Sequence, residues 1–302
     1  MQIIIDNIIK LSEDIFGKNP NIKKINVGFT NTIYDVDNKF IIKICTNIHN
    51  EENFEKEIEF YKSNINNDLI PKLYYSSTDK KEIPYCYEII EKVEGVTLYN
   101  IWHTFSEEQR ENVIRQLCDA MKIMHSNKGK SYNWMGYLKN IFIPLLEQAK
   151  DKKIFDDEQI NLLENVYRCF EQYLESNEFV LIHNDLHFDN IFINNGTIRI
   201  IDFERSMYAP KDFELDILYR MIRKPWKFAS EETEEYTNEK DYSNIMTYIE
   251  KYYPELINID NLYKRLAIYD VIYFLEQYVE HPKYEDLKEA VLVAANIVIS
   301  NN

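Results

Sequence analysis

The sequence of 302 residues predicts an α+β fold, in which an antiparallel sheet precedes a larger, mainly helical part. Short apolar runs bounded by turn residues dominate the first 92 positions. After Gly95 the apolar residues recur with helical spacing, and no internal repeat or long linker interrupts them. We therefore expect an N-terminal lobe over residues 1–92 and a C-terminal lobe over residues 93–302.

Composition and charge exclude several classes of protein. An apolar content of 45% with 14% aromatic residues suffices for a sizeable core, whereas a net charge of -16 argues against nucleic-acid binding. No apolar run is long enough to cross a membrane, and the N-terminus lacks a basic leader. Four widely spaced cysteines indicate a reducing compartment without a disulfide framework. We expect a cytoplasmic monomer.

The N-terminal lobe is predicted to contain five strands and one helix. The strands are expected at residues 22–27, 32–36, 39–45, 73–76 and 85–91. The pair Asp37-Asn38 is a turn signal between two of them. Residues 51–65 are expected to be helical because Phe54, Ile58 and Tyr61 would share one face.

The C-terminal lobe is predicted from helical periodicity and three short strands. Ser106 and Gln109 form a capping-box pattern ahead of a helix that reaches His125. Further helices are expected near residues 138–150, 157–174, 213–223, 242–252, 262–279 and 284–299. The strands are expected at residues 179–182, 191–193 and 198–201, with their polar ends at one end of a small sheet.

The stretch between the first and last of these strands has the residues that phosphoryl transfer requires. Such chemistry needs one carboxylate beside the attacking hydroxyl and hard oxygen ligands for Mg²⁺. Asp185 fits the first role, and Asn190 and Asp202 fit the second. We therefore expect Asp185 to be catalytic and the other two residues to bind the metal.

The pattern His183-x-Asp185-x4-Asn190, followed by Asp202-Phe-Glu204, resembles the catalytic core of the protein-kinase-like fold. The residues within this pattern are similar to those of the aminoglycoside phosphotransferase and choline kinase branch. The resemblance implies a bilobal small-molecule kinase that uses ATP or GTP with Mg²⁺. It also implies a small cationic acceptor with a hydroxyl group, in the first place an aminoglycoside, and hence antibiotic resistance. Glu204 departs from the glycine of the usual Asp-Phe-Gly motif and is similar to choline kinase-like relatives, in which this acidic position lies near the metal. The alternative is that Glu204 is a supporting or surface acid.

The same resemblance assigns nucleotide contacts in the N-terminal lobe. Lys43 lies in an apolar strand, where an unpaired ammonium would be costly, and corresponds to the lysine that binds the α/β-phosphates. Glu57 corresponds to its helix partner, with Glu55 and Glu59 as competitors.

Two further segments are assigned to the nucleotide by their position. Gly28, Thr30 and Asn31 stand where a phosphate-covering loop belongs, although a turn of this composition is also ordinary hairpin chemistry. Ile90, Glu91 and Val93 correspond to the hinge between the lobes. There Ile90 would line the purine pocket, and backbone groups near Glu91 and Val93 would bind the purine edge.

Supporting roles are expected for two residues around the catalytic loop. His183 is expected to brace the loop by hydrogen bonding, and Asp216 to brace it from the segment after Asp202. A rival interpretation takes His183, Asp185, His187 and Asp189 as an alternating metal cluster of a hydrolase, since strand-like alternation would put all four on one face. That interpretation leaves Lys43 without a role.

Acceptor identity is the least determined property. Acidic residues in the helical lobe are candidates for binding ammonium groups: Glu231, Glu232, Glu234, Glu235, Glu276 and Glu280. A glutamate run is more often a solvated face. Choline or ethanolamine would instead require an aromatic cage, and a sugar or amino-alcohol kinase or a catalytically silent kinase-like binding protein are the remaining alternatives.

Overall fold

The computed structural model describes residues 1–25, 31–64, 67–176 and 178–300. The chain forms two compact units: unit 1 comprises Met1–Phe105 with His187–Ser206, and unit 2 comprises Ser106–Leu186 with Met207–Asn302. Unit 1 contains an antiparallel sheet and unit 2 is mainly helical, which confirms the predicted α+β class. The division of the chain between residues 92 and 93 stays a prediction.

Each predicted segment contains a regular element, and the structure adds short elements that were not predicted, among them β6 and β10. The strands are β1 (Ile22–Ile25), β2 (Thr32–Val36), β3 (Phe40–Ile44), β4 (Leu73–Ser77), β5 (Tyr87–Glu91), β6 (Val96–Thr97), β7 (Val180–Ile182), β8 (Ile191–Asn194), β9 (Thr197–Ile200) and β10 (Met207–Ala209). The helices are α1 (Gln2–Leu11), α2 (Glu13–Phe16), α3 (Glu51–Ser63), α4 (Leu98–Ile101), α5 (Glu107–His125), α6 (Trp134–Asp151), α7 (Asp157–Tyr173), α8 (Leu215–Arg223), α9 (Glu239–Tyr242), α10 (Ile245–Tyr252), α11 (Pro254–Ile257), α12 (Leu262–Glu280) and α13 (Glu285–Ile299).

The main sheet of unit 1 has the order β1-β2-β3-β5-β4, with neighbouring strands antiparallel. Alternation along the strands gives it two different faces. One face includes Tyr34 and Ile42, and α1 buries Ile5 and Ile8 in the same cluster. On the other face, Lys43 of β3 lies directly opposite Glu88 of β5. Because this second face also meets α3, a charged pair of strand positions is buried there.

The strands of the catalytic segment do not form one sheet, so that part of the prediction was wrong. In unit 1, β8 pairs with both β6 and β9, whereas β7 pairs with β10 in unit 2. The chain between β7 and β8 is a loop that ends in a 3₁₀ turn at Phe188–Asn190, and Asn184 adopts a φ of 62°. A connection of this kind is not a hairpin turn, which leaves β7 to pair with the strand at residues 207–209.

Unit 2 is built around long helices with defined starts. The expected capping box is present, because Ser106 Oγ accepts the backbone N–H of Gln109 and the Gln109 side chain accepts that of Ser106. α12 packs against α13, α6 and α8 and is buried over most of its length. Among the described residues, no helix combines the length and apolarity needed to cross a membrane.

Gly95 occupies a position that no other residue fits. Its φ is 119°, and a Cβ built there would lie 2.3 Å from the carbonyl oxygen of Ile193 in β8. Gly17 also has a positive φ, of 74°, but a Cβ there meets nothing within 4 Å. A substitution at Gly17 would therefore cause backbone strain alone, whereas one at Gly95 would cause both backbone strain and a steric clash.

We expect Gly95→Ala to lower the free energy of unfolding by about 3 kcal/mol, because strain and backbone overlap add. Gly17→Ala, with strain alone, should lower it by about 1 kcal/mol. Chemical denaturation of the two variants measures the difference. Equal losses would contradict the close approach of β8 to Gly95.

Candidate functional site

Lys43 is the centre of a buried ionic cluster in unit 1. Its side chain is 8% exposed, and Nζ lies 2.6 Å from Glu57 Oε2, so the expected partner is present. The same nitrogen lies 3.1 Å from Asp202 Oδ1 and 3.3 Å from Glu204 Oε2. The ammonium therefore joins β3, α3 and the segment after β9.

The cluster is electrostatically unbalanced, because several acids surround one ammonium. Burial alone would lower the pKa of Lys43, but the charges of Glu57 and Asp202 raise it well above its usual value. Burial raises the pKa of Glu57 to about 7, in spite of the opposing effect of Lys43. Lys43 is therefore firmly protonated.

Glu88 belongs to this cluster and was missed by the sequence reasoning. Its side chain is fully buried opposite Lys43, and neither carboxyl oxygen has a hydrogen-bond partner. Burial, followed by the charge of Glu57, raises the pKa of Glu88 well above its ordinary value. Burial without a hydrogen-bond donor therefore favours the protonated form of Glu88.

Asn190 and Asp202 stand on neighbouring elements of unit 1. Asn190 ends the 3₁₀ turn, where Phe188 packs on Trp102 with ring centroids 4.7 Å apart. The backbone N–H of Ile201 donates to the carbonyl oxygen of Asn190 at 3.0 Å, which links the turn to the residue before Asp202. Asp202 has a φ of 65° and a half-exposed side chain. One amide oxygen and one accessible carboxylate are hard donors of the type that fits Mg²⁺.

The hinge segment is held by side-chain contacts that the sequence did not indicate. Arg199 of β9 donates to Glu91 Oε1 at 2.7 Å and to Oε2 at 2.9 Å, and this pairing lowers the pKa of Glu91. The backbone N–H of Glu91 donates to the carbonyl oxygen of Lys72. Any purine contact at Glu91 must therefore use its carbonyl group. Ile90 and Val93 are both buried.

The proposed phosphate loop is only partly described. Gly28 and Thr30 lie outside the described residues. Asn31 is described, and its Nδ2 donates to Glu204 Oε2 at 2.8 Å. A phosphate contact by Asn31 stays a prediction.

The catalytic loop in unit 2 is braced by Glu214. This buried carboxylate accepts the backbone N–H of His183 at 2.8 Å and that of Asn184 at 3.2 Å. His183 Nδ1 in turn accepts the backbone N–H of Asp185 at 3.2 Å, as its expected bracing role requires. Burial would raise the pKa of Glu214, but its contacts with His125 and His183 lower it. The loop before Asp185 therefore rests on a buried, ionised carboxylate.

The bracing role predicted for Asp216 was wrong. Arg220 binds Asp216 through two hydrogen bonds of 2.5 and 2.6 Å, so Asp216 belongs to an ionic cluster with Asp270. The residues up to Glu214 form a 3₁₀ turn, and α8 begins only at Leu215. This change of helix type points Glu214, rather than Asp216, at the loop.

The rival interpretation, an alternating metal cluster of a hydrolase, was also wrong. Residues 183–187 form no strand, so they do not place four alternate side chains on one face. Among the described residues, the acids whose ligand atoms lie within 4.8 Å of one another are Glu57, Asp202 and Glu204.

The candidate acceptor residues are exposed. Glu231, Glu232, Glu234 and Glu235 lie in or beside a 3₁₀ turn, and Glu276 and Glu280 lie on α12. None of them lines the cavity of about 360 Å³ among α8, α12 and α13. That cavity has Arg223, Lys224 and Asp286 at its wall beside apolar residues of α13. A role of the six glutamates in acceptor binding stays a prediction.

Comparisons with known proteins agree with this arrangement. The model of the phosphotransferase enzyme family, abbreviated APH, matches residues 21–243. Among solved structures, aminoglycoside phosphotransferase APH(2'')-Ib with bound ADP has a TM-score of 0.70 at 17% identity, covering 98% of this chain and 99% of its own. The streptomycin–ATP complex of APH(2'')-IIa gives 0.70 at 17% identity, covering 97% and 98%. Among curated proteins, no sequence matches this chain significantly. At these identities the structures establish the fold.

We expect Glu88→Gln to stabilise the protein increasingly as the pH rises from 5 to 8. The unfolded chain loses the proton of Glu88 near its usual pKa of 4.5, whereas the folded chain retains it. The wild-type protein therefore loses stability relative to the glutamine variant as the pH rises toward the raised pKa. Thermal unfolding of both proteins across this range measures the difference, with Glu55→Gln, on the exposed side of α3, as the control. A difference that is constant with pH would show that Glu88 is ionised.

Proposed function

This chain belongs to the phosphotransferase enzyme family, and from that premise we propose that it transfers the γ-phosphate of ATP or GTP to a hydroxyl group of a small cationic molecule, in the first place an aminoglycoside. The observation that supports the nucleotide part best is the buried contact of Lys43 with Glu57 and Asp202. An ammonium fixed in this way is positioned to bind phosphate oxygens without reorganisation.

Each role is assigned to a group whose chemistry suits it. Lys43 binds the phosphates, and Asn190 and Asp202 would hold Mg²⁺, which neutralises phosphate charge when bound. Asp185 orients the acceptor hydroxyl and accepts its proton at a carboxylate oxygen. Little base strength is needed in phosphoryl transfer, so the backbone support that His183 and Glu214 give to this loop matters more than the basicity of Asp185.

The nucleotide is proposed to be ATP or GTP, with Ile90 and Val93 at the purine. Solved structures of similar fold contain ADP, ATP, GDP or AMP-PNP, so both adenine and guanine nucleotides occur within this fold. A purine edge is recognised through backbone groups, and the carbonyl of Glu91 is suited to that because its N–H is already used. All four cysteines are free, in keeping with a cytoplasmic protein.

An aminoglycoside is proposed as the acceptor because exposed acidic groups in unit 2 can attract several ammonium groups. Solved structures of similar fold include complexes with streptomycin, gentamicin and kanamycin. A choline-type cage is less favoured in the cavity of unit 2. The guanidinium carbon of Arg220 lies 4.0 Å from the ring centroid of Tyr273, so this ring of the cavity already holds a cation.

Coupled turnover assays with ATP and GTP test the proposal directly. The panel contains kanamycin, gentamicin, streptomycin, choline, ethanolamine and simple sugars, each with Mg²⁺. Phosphorylation of an aminoglycoside is the expected result. Turnover with choline or a sugar alone would retain the kinase mechanism and reject the antibiotic acceptor.

We expect Asp185→Ala to lower kcat by about 10²- to 10⁴-fold, because the hydroxyl loses its proton acceptor. Nucleotide affinity, measured by calorimetry, should stay within about threefold, whereas Asp202→Ala should lose the Mg²⁺-dependent part of binding. Asp151→Ala, at the exposed end of α6, is the control. Full activity of Asp185→Ala would reject the assigned mechanism.

A further inference from the structure

Glu204 makes contacts that the assigned chemistry does not explain. Its carboxylate accepts Nδ2 of Asn31 at 2.8 Å through Oε2, and Nδ2 of Asn50 through Oε1. Lys43 Nζ lies 3.3 Å from Oε2, and the Glu204 side chain is only 13% exposed. Asn31 directly precedes β2, and Asn50 directly precedes α3. One carboxylate thus connects the starts of two elements that flank Lys43.

The side chain of Asn50 contacts Glu204 instead of capping the first turn of α3. Asparagine before a helix usually accepts a backbone N–H of the first turn through its side chain. Asn50 is the N-cap residue of α3, yet its side chain makes no such hydrogen bond. Its amide nitrogen donates to Glu204, and its oxygen accepts Nδ2 of Asn53 at 3.2 Å. The residue is 8% exposed, so its amide is committed to Glu204 in a largely dry environment.

Glu204 is itself held in place by its neighbour Phe203. The Phe203 ring is fully buried and stacks on Phe60 of α3, with ring centroids 4.0 Å apart and planes at 13°. It also meets Tyr61 of α3 edge-on, with centroids 5.7 Å apart. The 3₁₀ turn Phe203–Arg205 is therefore anchored to α3, and Glu204 reaches its partners from a fixed base.

We propose that Glu204 is a positioning residue: its carboxylate bridges Asn31 to Asn50 and thereby holds α3, and with it Glu57, against Lys43. We call this set of contacts the Glu204 bridge. The proposal relies on the proposed nucleotide role of Lys43 and Glu57. It assigns Glu204 a different role from metal binding, which its place beside Asp202 would otherwise suggest.

The donor geometry favours the bridge over a metal ligand. A carboxylate can only accept hydrogen bonds, so both asparagine amides must present N–H groups to Glu204. Those N–H groups are positive ends of dipoles and would oppose a cation at the same oxygens. Lys43 already lies among the three acids whose oxygens are close enough to share a cation. Glu204 is thus engaged by donors from three directions.

The test compares Glu204→Gln, Asn50→Leu and the double variant in the full-length protein, with Glu55→Ala on the exposed side of α3 as the control. Hydrogen exchange of the α3 amides from Glu55 onward, which donate within the helix, is measured without nucleotide. Calorimetric Kd values for ATP and GTP are then measured over a Mg²⁺ titration. Asn31→Leu tests the same carboxylate from its other arm, so a folding defect in Asn50→Leu does not remove the test.

The bridge predicts faster exchange in α3 and nucleotide binding weakened about 10- to 100-fold in each single variant, which is the value of one charge-assisted hydrogen bond. The double variant should bind nucleotide no more weakly than the single variant with the lower affinity, because both changes break the same contact. The Mg²⁺ concentration that gives half-maximal binding should not change. A raised Mg²⁺ midpoint in Glu204→Gln with normal binding in Asn50→Leu would make Glu204 a metal ligand and overturn the proposal. Additive losses, or no losses, would also overturn it. If the wild-type protein binds neither nucleotide, the proposed function fails, and hydrogen exchange alone decides on the bridge.

Discussion

The excess of acids around Lys43 is the constraint on which unit 1 depends. One ammonium faces the carboxyl groups of Glu57, Glu88, Asp202 and Glu204. Because Lys43, Glu57 and Glu88 are buried, water cannot screen their charges, and the balance must come from geometry and protonation. β3, β5, α3 and the turn after Asp202 each contribute one of these groups. A shift of any of these elements would therefore change the charge balance of the whole cluster.

A comparison of Glu88 with Glu214 shows that burial alone does not decide the state of a carboxyl group. Both are fully or almost fully buried, yet the pKa of Glu88 is raised and that of Glu214 is lowered. Glu214 accepts two backbone N–H groups and contacts His125 at 3.3 Å, whereas Glu88 has no hydrogen-bond partner. Hydrogen-bond donors thus stabilise the ionised form of a buried acid, and their absence favours its protonated form.

The sequence predicted the features that follow from local pattern. Lys43 in an apolar strand indicated a buried ammonium that needs an anionic partner, and the resemblance to the kinase-like family predicted Glu57 rather than Glu55 or Glu59 as that partner. The pairing is present. The pairing register of the strands and the type of each helical turn could not be predicted from local sequence pattern. Glu88 faces Lys43 only through the pairing of β3 with β5. Glu214 and Asp216 are two residues apart, and a 3₁₀ turn that ends between them decides which one reaches the catalytic loop.

The same distinction explains why the chain specifies its reaction more narrowly than its acceptor. The groups assigned to the nucleotide and the catalytic loop are held by buried ion pairs and backbone hydrogen bonds. Such direct contacts define the positions of these groups. The glutamates assigned to the acceptor are exposed, and exposed charges act through a field that salt screens over about 10 Å. Such a field attracts many cations without distinguishing them. For the proposed cationic acceptor, selection must therefore come from fixed contacts at its hydroxyl group rather than from the net charge of -16.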